Sequence, residues 1–525
     1  MLQLPDLHIY NNAHLVVCAA ACLGVVGVIS QAYLYKSQSG LPLPPSPPTW
    51  RLWGHFIPPR KPFLTLAGWI DEYGPLITIR SGTEKIVVVG RYNVAVDIME
   101  KQSGFLADRP RRVAGEIFSG GLSNLLTPAG ARFRRMRRAL HAHLQPKVAK
   151  EYQPLQMSHA KNIVLDILED PYNFQNHVAN FAATTITKVV YGKTTPTSAT
   201  DPEVKRLREH LRGFRTALRP GAYLVDSIPW LKYLPWYGRE LKRGFHKSKQ
   251  FYTARLNRVK QEMENNVDFD PSFTKHMLQD LQLHGLSEIE MAFLAGSLFA
   301  AGRDTTILSI CTVLMAAAVF PEEQAKVQAE LDAIIGRQRA PTFADGQSLP
   351  RLHAFISEAL RWRPMFPSGI AHRSTKDVLW ACIFRTTYCA NDNLAHQGNY
   401  CIPAGTTVVG DHWSISRDPD VFPEPHAFKP ERWINDQGLC RDDLKFFFLF
   451  GFGRRVCPGQ HVANRSLFIN SALILWAFQV TLDPTKPQDD MGFMSGNTRS
   501  CTIDFKTRIP ETGIRRMLQN YPEVA

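Results

Sequence analysis

The 525-residue sequence predicts a mainly helical fold with minor β structure behind an N-terminal transmembrane helix. Three observations support this prediction. Most segments beyond residue 130 repeat apolar side chains with the 3.6-residue period of an α-helix. Strand-like patterns are sparse, at Ile77–Val89 and Thr406–Val409. Residues 13–35 contain no charged side chain.

The uncharged stretch 13–35 is long enough to cross the ~30 Å hydrocarbon core of a bilayer. A cleaved signal peptide is the alternative, but residues 1–12 lack the positively charged segment that such peptides carry. Positive charge follows instead, at Lys36 and Arg51, which places the downstream side in the cytosol. We therefore expect a retained single-pass anchor at 13–35, with residues 1–12 on the lumenal side.

Residues 36–50 form a proline-rich hinge, in which Leu41–Pro48 is expected to be extended and stiff. A ligand for a proline-binding domain is the alternative for this segment. Residues 51–525 show no repeat, long linker or low-complexity tract, and they predict one large domain. It begins with a hairpin that turns at Ser81-Gly82-Thr83 within Ile77–Val89. Helices are then predicted at Ala131–Leu144, Lys205–Leu218, Leu241–Glu264, Glu288–Val319, Glu322–Ile335, Leu352–Trp362 and Val462–Phe478.

Composition narrows the class of protein. Hydrophobic residues make up 44% and charged residues 21%, which excludes a disordered or fibrous chain. The nine cysteines include no C-x-x-C pair, which disfavours a disulfide scaffold or a zinc module. A net charge of +14 suits an anionic membrane face, an acidic protein partner or nucleic acid.

The segment Phe450–Gly459 contains two glycines before a cysteine and a third after it. These glycines allow the backbone to turn tightly and to approach a flat group closely. Cys457 lies just before a helix predicted to start near Gln460, where free N–H groups stabilise a thiolate. A thiolate held in this way suits a soft-ligand metal, whereas a buried structural cysteine is the ordinary alternative.

The pattern F-x-x-G-x-R-x-C-x-G, at Phe450, Gly453, Arg455, Cys457 and Gly459, resembles the haem-binding signature of the cytochrome P450 family. The resemblance implies a P450 fold, with a large helical domain and a small β-rich region. It also implies that haem b is the cofactor and that Cys457 is the thiolate ligand of its iron.

Ala301-Gly-Arg-Asp-Thr-Thr306 interrupts an otherwise apolar helix. Its Thr residues can bond back to carbonyls one turn earlier, and Gly302 is expected to leave space for a small polar notch. A polar cluster with no catalytic role is the alternative. The segment resembles the oxygen-activation motif of the family, which implies that Thr305 hydrogen-bonds the oxygen bound at the haem and that Asp304 helps to relay protons. Arg303 either points away from the haem or pairs with Asp304.

Glu358 and Arg361 lie three residues apart on one predicted helix, which alone indicates only a weak surface ion pair. The family uses this E-x-x-R pair, with a later arginine that corresponds to Arg432, in a buried network. The resemblance also assigns Arg137, Arg373 and Arg455 to the haem propionates. Phe133 stands where the family usually has a tryptophan, so an indole N–H donor is lost.

Resemblance to fungal, microsomal-type members implies a monooxygenase that acts on a hydrophobic substrate, in secondary metabolism or on xenobiotics. No G-x-G-x-x-G unit or flavin domain is visible, so electrons are expected from a separate NADPH-dependent P450 reductase in the endoplasmic reticulum membrane. The catalytic domain then faces the cytosol, and no nucleic-acid partner is expected. Basic side chains expected to steer the reductase are Arg134, Arg135, Arg138 and Lys147.

Two segments carry further expectations. Gly221–Tyr237 is aromatic and apolar, which suits either a membrane-surface segment beside a substrate entrance or ordinary core packing. Residues 378–398 resemble an insertion relative to the family pattern. They are interpreted as a surface loop or as an intron left in the gene model and translated into the sequence. The alternative functions are accordingly a haem-binding protein impaired by this insertion, or a haem-thiolate isomerase or dehydratase that needs no reductase.

Overall fold

The computed structural model describes residues 40–49, 54–82, 84–193, 200–265, 272–380, 399–483 and 502–522, with single positions 18, 22, 24, 195, 197, 198, 485 and 491. The expected anchor at 13–35 and residues 381–398 of the expected insertion lie outside these ranges, apart from positions 18, 22 and 24. The backbone contacts of the chain divide it into two units. The first comprises Met1–Asp108 and Ser368–Val421, and the second comprises Arg109–Pro367 and Phe422–Ala525.

Helices dominate the described residues, as the sequence predicts. In chain order they are α1 (Pro62–Tyr73), α2 (Tyr92–Ala95), α3 (Val113–Ser119), α4 (Ala131–Leu144), α5 (Pro146–Glu151), α6 (Gln153–Glu169), α7 (Phe174–Tyr191), α8 (Pro202–Leu218), α9 (Arg239–Glu264), α10 (Phe273–Gln279), α11 (Leu281–His284), α12 (Glu288–Val319), α13 (Pro321–Ile334), α14 (Pro350–Trp362), α15 (His412–Ile415), α16 (Phe447–Phe450), α17 (Gln460–Ala477) and α18 (Glu511–Gln519).

Shorter turns and strands complete the fold. The single-turn segments are Val96–Lys101, Pro171–Asn173, Leu224–Asp226, Pro229–Tyr233, Phe343–Ser348, Pro430–Trp433 and Gly453–Arg455. The strands are β1 (Leu76–Ser81), β2 (Glu84–Val89), β3 (His372–Arg373), β4 (Val378–Trp380), β5 (Tyr400–Ile402), β6 (Thr407–Gly410), β7 (Phe478–Leu482) and β8 (Ile503–Thr507).

The first unit is built on a four-stranded sheet of order β1-β2-β6-β3. The predicted hairpin is confirmed, because β1 and β2 pair antiparallel and Gly82 takes the left-handed conformation at their turn, with φ 60°. The predicted strand near Thr406–Val409 is also confirmed as β6, which pairs parallel with β2. Apolar side chains of α1 and of the hairpin form the core, among them Leu66, Ile70 and Ile77.

The proline-rich segment is fastened to this first unit. The backbone N–H of Thr78 donates to Pro45 O at 2.7 Å, and the Thr78 hydroxyl donates to Pro44 O at 2.9 Å. The N–H of Cys401 in β5 donates to Pro42 O at 3.0 Å. A proline nitrogen cannot donate a hydrogen bond, but a proline carbonyl can accept one. Through these three carbonyls the segment is held against β1 and β5.

The start of the expected insertion belongs to a strand pair. Val378–Trp380 forms β4, which pairs antiparallel with β5, and Val378 is fully buried opposite Ile402. These three residues are therefore part of the first unit. The interpretation of the remainder, 381–398, stays a prediction.

The second unit is helical apart from the β7–β8 pair. Its core gathers around α12, which packs against α7, α9 and α17. A capping box starts α12, because Ser287 accepts from the N–H of Glu290 while the Glu290 carboxylate accepts from the N–H of Ser287. Among the described residues α12 is the helix long and apolar enough to cross a membrane, but most of it is buried in protein, as expected of a core helix.

Candidate active site

The loop that carries Cys457 is shaped by two glycines and a short helical turn. Gly451 and Gly453 have φ values of 78° and 48°, in the left-handed region that favours glycine. The turn Gly453–Arg455 follows, and the N–H of Cys457 donates to Phe450 O at 2.8 Å, which closes the loop. The half-buried cysteine lies three residues before α17, as the sequence predicts.

The electrostatics around the sulfur differ in part from the expectation. A hydrogen bond from the Gly459 N–H and the charge of Arg137 both favour a thiolate, but burial outweighs them and raises the pKa of the Cys457 thiol. The protein alone therefore favours the thiol form. A metal cation at the sulfur supplies the missing stabilisation, because a coordinating thiol loses its proton.

Two of the arginines predicted for the propionates lie beside this loop. Arg137 of α4 donates through Nη1 to Val456 O at 2.9 Å, and burial lowers its pKa. Arg455 donates through Nη2 to Thr127 O at 2.6 Å. Its guanidinium carbon lies 3.6 Å from the ring centroid of Phe133, a cation–π arrangement.

The third arginine, Arg373, is exposed on β3 of the first unit. Its N–H donates to Asp108 O at 2.9 Å. Its assignment to a propionate stays a prediction.

The oxygen-activation motif occupies the middle of α12. Within Ala301–Leu308 only Arg303 and Ile307 are buried, although the turns on either side are largely buried. Thr305 donates its hydroxyl to Ala301 O at 2.7 Å, and Thr306 donates to Gly302 O at 2.7 Å, as expected for threonine in a helix.

The notch expected at Gly302 is absent, so this expectation was wrong. A Cβ atom there would lie 2.4 Å from Ile186 Cδ1 of α7. Gly302 therefore allows close packing of two helices, and the open space lies instead beside Ala301, which is exposed.

Asp304 is held between two arginines. Arg303 Nη1 lies 2.5 Å from Asp304 Oδ1, which realises one of the two alternatives for Arg303. Arg215 of α8 lies 3.2 Å from Asp304 Oδ2, a contact that the sequence did not predict. The Arg303 side chain is 3% exposed and the Arg215 side chain is 64% exposed. The ion pair with Arg303 is therefore formed by a buried arginine, and the ion pair with Arg215 is formed by an arginine in contact with solvent.

The buried network around Glu358 is formed as the resemblance implies. Glu358 and Arg361 are both 0% exposed, and Arg361 makes two hydrogen bonds of 2.8 Å to the carboxylate. Arg432 Nε donates to Oε1 at 3.2 Å. The indole N–H of Trp433 donates to Oε2 at 2.9 Å, a partner that sequence reasoning missed. Arg361 also donates to Pro425 O at 2.8 Å, which ties α14 to the chain before the Pro430–Trp433 turn.

These residues fit a haem. The described residues contain no group of three His, Cys, Asp or Glu side chains able to hold a metal ion. Cys457 would supply one sulfur ligand to a haem iron, and the porphyrin would supply nitrogen ligands of its own. Arg137 and Arg455 supply positive charge beside the same loop, and residues 455–463 stay only partly buried by protein.

Comparisons with known proteins agree with this geometry. Residues 44–500 match the sequence profile of the family described as Cytochrome P450. The chain is 43% identical over 499 residues to Cytochrome P450 monooxygenase 113 of Postia placenta, covering 94% of this chain and 97% of that protein. It is 47% identical over 452 residues to Cytochrome P450 monooxygenase 64 of the same fungus, covering 86% and 88%. A cytochrome P450 monooxygenase of Armillaria gallica is 35% identical over 484 residues, covering 89% of each chain. The chain therefore belongs to the cytochrome P450 family and is a haem-dependent monooxygenase, an oxidoreductase.

Proposed function

We propose that the enzyme inserts one oxygen atom from dioxygen into a hydrophobic organic substrate, with electrons from NADPH delivered by a separate P450 reductase. The observation that carries this proposal is the Cys457 loop, in which the sulfur accepts from the N–H of Gly459 and lies near the charge of Arg137. Haem b, when bound there through Cys457, supplies the redox chemistry and the activation of oxygen.

Asp304 and Thr305 are the proposed route for protons. The Asp304 side chain is 25% exposed, so solvent reaches this carboxylate beside its ion pair with Arg215. Thr305 lies one residue further along α12 and borders the open space beside Ala301. We expect the Thr305 hydroxyl to leave Ala301 O and to donate toward oxygen during turnover, which limits the escape of hydrogen peroxide.

The proposed reductase surface includes exposed cations of α4 and α5. Arg134, Arg138 and Lys147 are exposed, whereas Arg135 is partly covered and lies 3.8 Å from Glu290. Such a basic surface attracts an acidic partner over long range, and this attraction weakens as salt rises.

The proposed location is the endoplasmic reticulum membrane, with the anchor at 13–35 and the catalytic domain in the cytosol. The segment Gly221–Tyr237 supports contact with a membrane surface. Val225 is buried in a core cluster, with Tyr223 and Leu231 packed against it. Five large apolar side chains of the segment are exposed; they are Leu224, Ile228, Trp230, Tyr233 and Trp236. Exposed aromatic and aliphatic side chains of this kind suit the interface of a bilayer.

The biological role that we propose is secondary metabolism or oxidation of xenobiotics in a fungus. The names of the relatives support the monooxygenase chemistry, and the sequence resemblance to fungal members supports the role. Two alternative functions remain. An isomerase or dehydratase would form product without a reductase, and an impaired haem protein would form no product. Reductase-dependent product excludes both of them.

The test compares Thr305→Ala with Thr306→Ala as its matched control, because both hydroxyls make the same bond to the carbonyl one turn earlier. Both variants should retain the carbon-monoxide difference spectrum of a haem-thiolate protein. Only Thr305→Ala should raise the ratio of hydrogen peroxide to product, by about tenfold or more, in assays with NADPH and reductase. Equal coupling in the two variants contradicts the proton route, and a wild-type spectrum without product contradicts the monooxygenase reaction.

A further inference from the structure

A cavity of about 330 Å³ lies beside α3 in the second unit. Its volume is at the lower end of the ~300–1,000 Å³ range of small-molecule sites. The wall is mostly apolar, with one acidic and one basic side chain; the lining residues are Val113, Glu116, Ile117, Gly121, Leu126, Pro128 and Lys232. We call this cavity the α3 pocket.

The two charges of the α3 pocket are not equivalent. Glu116 is neutralised by Arg111, whose Nε and Nη2 atoms lie 3.0 Å from its two carboxylate oxygens. This contact also raises the pKa of Arg111. Lys232 has no carboxylate within ion-pair distance among the described residues, and its ammonium lies 4.9 Å from the ring centroid of Tyr233. The pocket therefore combines an apolar wall with a single uncompensated positive charge.

The walls of the pocket are held in place before any ligand arrives. Asp226 Oδ1 accepts from the N–H of Ala114 at 3.0 Å, which joins the 224–226 turn to α3. On the opposite face of α3, the ring of Phe118 lies against two glycines. A Cβ atom at Gly213 or at Gly244 would come within 2.9 Å or 2.4 Å of this ring. A preformed site of this kind binds without a large ordering cost.

The pocket also borders the exposed apolar surface of the Gly221–Tyr237 segment. Lys232 lies in the turn Pro229–Tyr233, between Trp230 and Tyr233, which are 60% and 76% exposed. A molecule with an apolar body therefore meets aromatic side chains first and reaches the ammonium at the pocket wall.

We propose that the α3 pocket binds amphipathic molecules with an apolar chain and one anionic end group, such as straight-chain carboxylates, and that the substrates of the enzyme belong to this class. The apolar wall accepts the chain, and Lys232 pairs with the anionic end. This inference rests on the proposed function only for the statement about substrates, because binding at the pocket needs no turnover.

The test measures binding of dodecanoate by calorimetry to the haem-loaded full chain, at concentrations that keep the ligand monomeric. Lys232→Gln should weaken binding about tenfold, as expected for loss of a charged hydrogen-bond partner. Lys232→Arg should retain the affinity. Lys232→Glu should reverse the preference, so that dodecyltrimethylammonium binds more tightly than dodecanoate. Lys242→Gln, which removes an exposed lysine of α9 outside the lining, is the matched control and should bind like wild type.

A second variant locates the ligand. Ile117→Trp fills the pocket and should abolish binding of both amphiphiles, while an unchanged carbon-monoxide spectrum shows that the chain is folded and loaded with haem. Equal dodecanoate affinity in wild type and Lys232→Gln overturns the proposal. So does a Lys232→Gln variant that loses affinity only for phosphatidylserine vesicles, because the lysine then contacts lipid headgroups alone.

Turnover assays separate the statement about binding at the α3 pocket from the statement about the substrate class. Reductase-dependent oxidation of a bound carboxylate, with a higher KM but an unchanged kcat in Lys232→Gln, supports the substrate class. Tight binding with no oxidation of any straight-chain carboxylate overturns the substrate class alone, provided that another hydrophobic compound is oxidised. Failure to oxidise any compound contradicts the proposed function instead.

Discussion

At the scale of single residues, Phe133 takes over part of the role that the sequence pattern assigns to an indole. The family position usually offers an N–H donor, which phenylalanine lacks. Phe133 instead presents its ring face to the guanidinium of Arg455 at 3.6 Å, while Thr127 O accepts from the same guanidinium. Ring and carbonyl together fix the orientation of an arginine assigned to a haem propionate.

We expect Phe133→Leu to release Arg455, because an aliphatic side chain fills the space without a ring face. A cation–π contact is worth roughly 0.5–2 kcal/mol, so haem should leave the variant about two- to thirtyfold faster. The measurement is the rate of haem transfer from the ferric protein to an excess of apomyoglobin. Phe133→Tyr, which retains a ring, should behave like wild type, and an unchanged rate in Phe133→Leu would remove Phe133 from this role.

Residues recognised by a spaced pattern were predicted well, and residues that act across the fold were not. Cys457, Glu358 and Arg361 belong to short motifs whose members are close in the chain. Arg215 reaches Asp304 from another helix, and no local signal marks one arginine among the many of α8. The indole of Trp433 was within reach of sequence reasoning, since it follows Arg432 directly and a buried carboxylate needs several donors.

At the scale of elements, the E-x-x-R helix α14 is joined to the Pro430–Trp433 turn by one buried carboxylate. Glu358 accepts hydrogen bonds from Arg361, Arg432, Trp433 and the N–H of Lys429. A fully buried charge is tolerated only when it is paired and its oxygens are satisfied. Each donor in this network therefore contributes to the docking of the helix and the turn.

We expect Trp433→Phe to lower the free energy of unfolding by about 1.5–3 kcal/mol, because a hydrogen bond to a charged group is lost in the interior. The measurement is urea unfolding of the haem-loaded protein, together with the fraction of chains that incorporate haem during expression. Trp476→Phe is the matched control, since its N–H donates to a neutral carbonyl, Gly336 O, at 3.2 Å. The control should cost only about 0.5–1.5 kcal/mol, and equal losses in both variants would contradict a special role for the carboxylate.

Helices with one apolar face were predicted to within a few residues, as for Ala131–Leu144 and for Leu352–Trp362, which begins two residues earlier in the structure. Several helices were missed, and the longest of them are α6 and α7. Most side chains of α7 are buried, including Thr184, Thr185 and Thr187, so the helix has no polar face that would reveal its period. The β4–β5 pair was missed because its strands have three residues each, too few for an alternation to be recognised.

At the scale of the whole molecule, the division into two units was not visible in the sequence. The first unit joins an early segment to Ser368–Val421, and the second unit supplies the chain between them. Composition and linkers mark boundaries between consecutive domains, but they carry no signal when one unit is assembled from distant segments. The prediction of a single domain at 51–525 therefore treats both units together as one catalytic region.

One buried carboxyl makes a contribution of its own to the pH dependence of stability. Asp411 precedes α15, is fully buried, and its Oδ2 accepts from the N–H and hydroxyl of Ser414 at 3.1 and 2.6 Å. Its Oδ1 has no hydrogen-bond partner among the described residues. Burial raises the pKa of Asp411 to about 7, although the Ser414 donors and the charge of Arg417 act in the opposite direction. A carboxyl whose pKa is raised on folding keeps a proton that the unfolded chain has already lost. Stability from this group therefore falls as pH rises from about 4 to about 7.

We expect Asp411→Asn to stabilise the protein more at about pH 8 than at about pH 5, because the amide retains an acceptor for Ser414 and carries no charge. The gain in the free energy of unfolding over wild type should grow by about 2–3 kcal/mol between these pH values. About two pH units separate pH 5 from the raised pKa, and each unit is worth about 1.4 kcal/mol. Urea unfolding of the haem-loaded chain at both pH values measures the gain. Asp443→Asn is the control, since that carboxyl is exposed beside Arg441, which lowers its pKa, and it stays ionised throughout this window. A gain that is the same at both pH values would mean that Asp411 is ionised in the folded protein across the window.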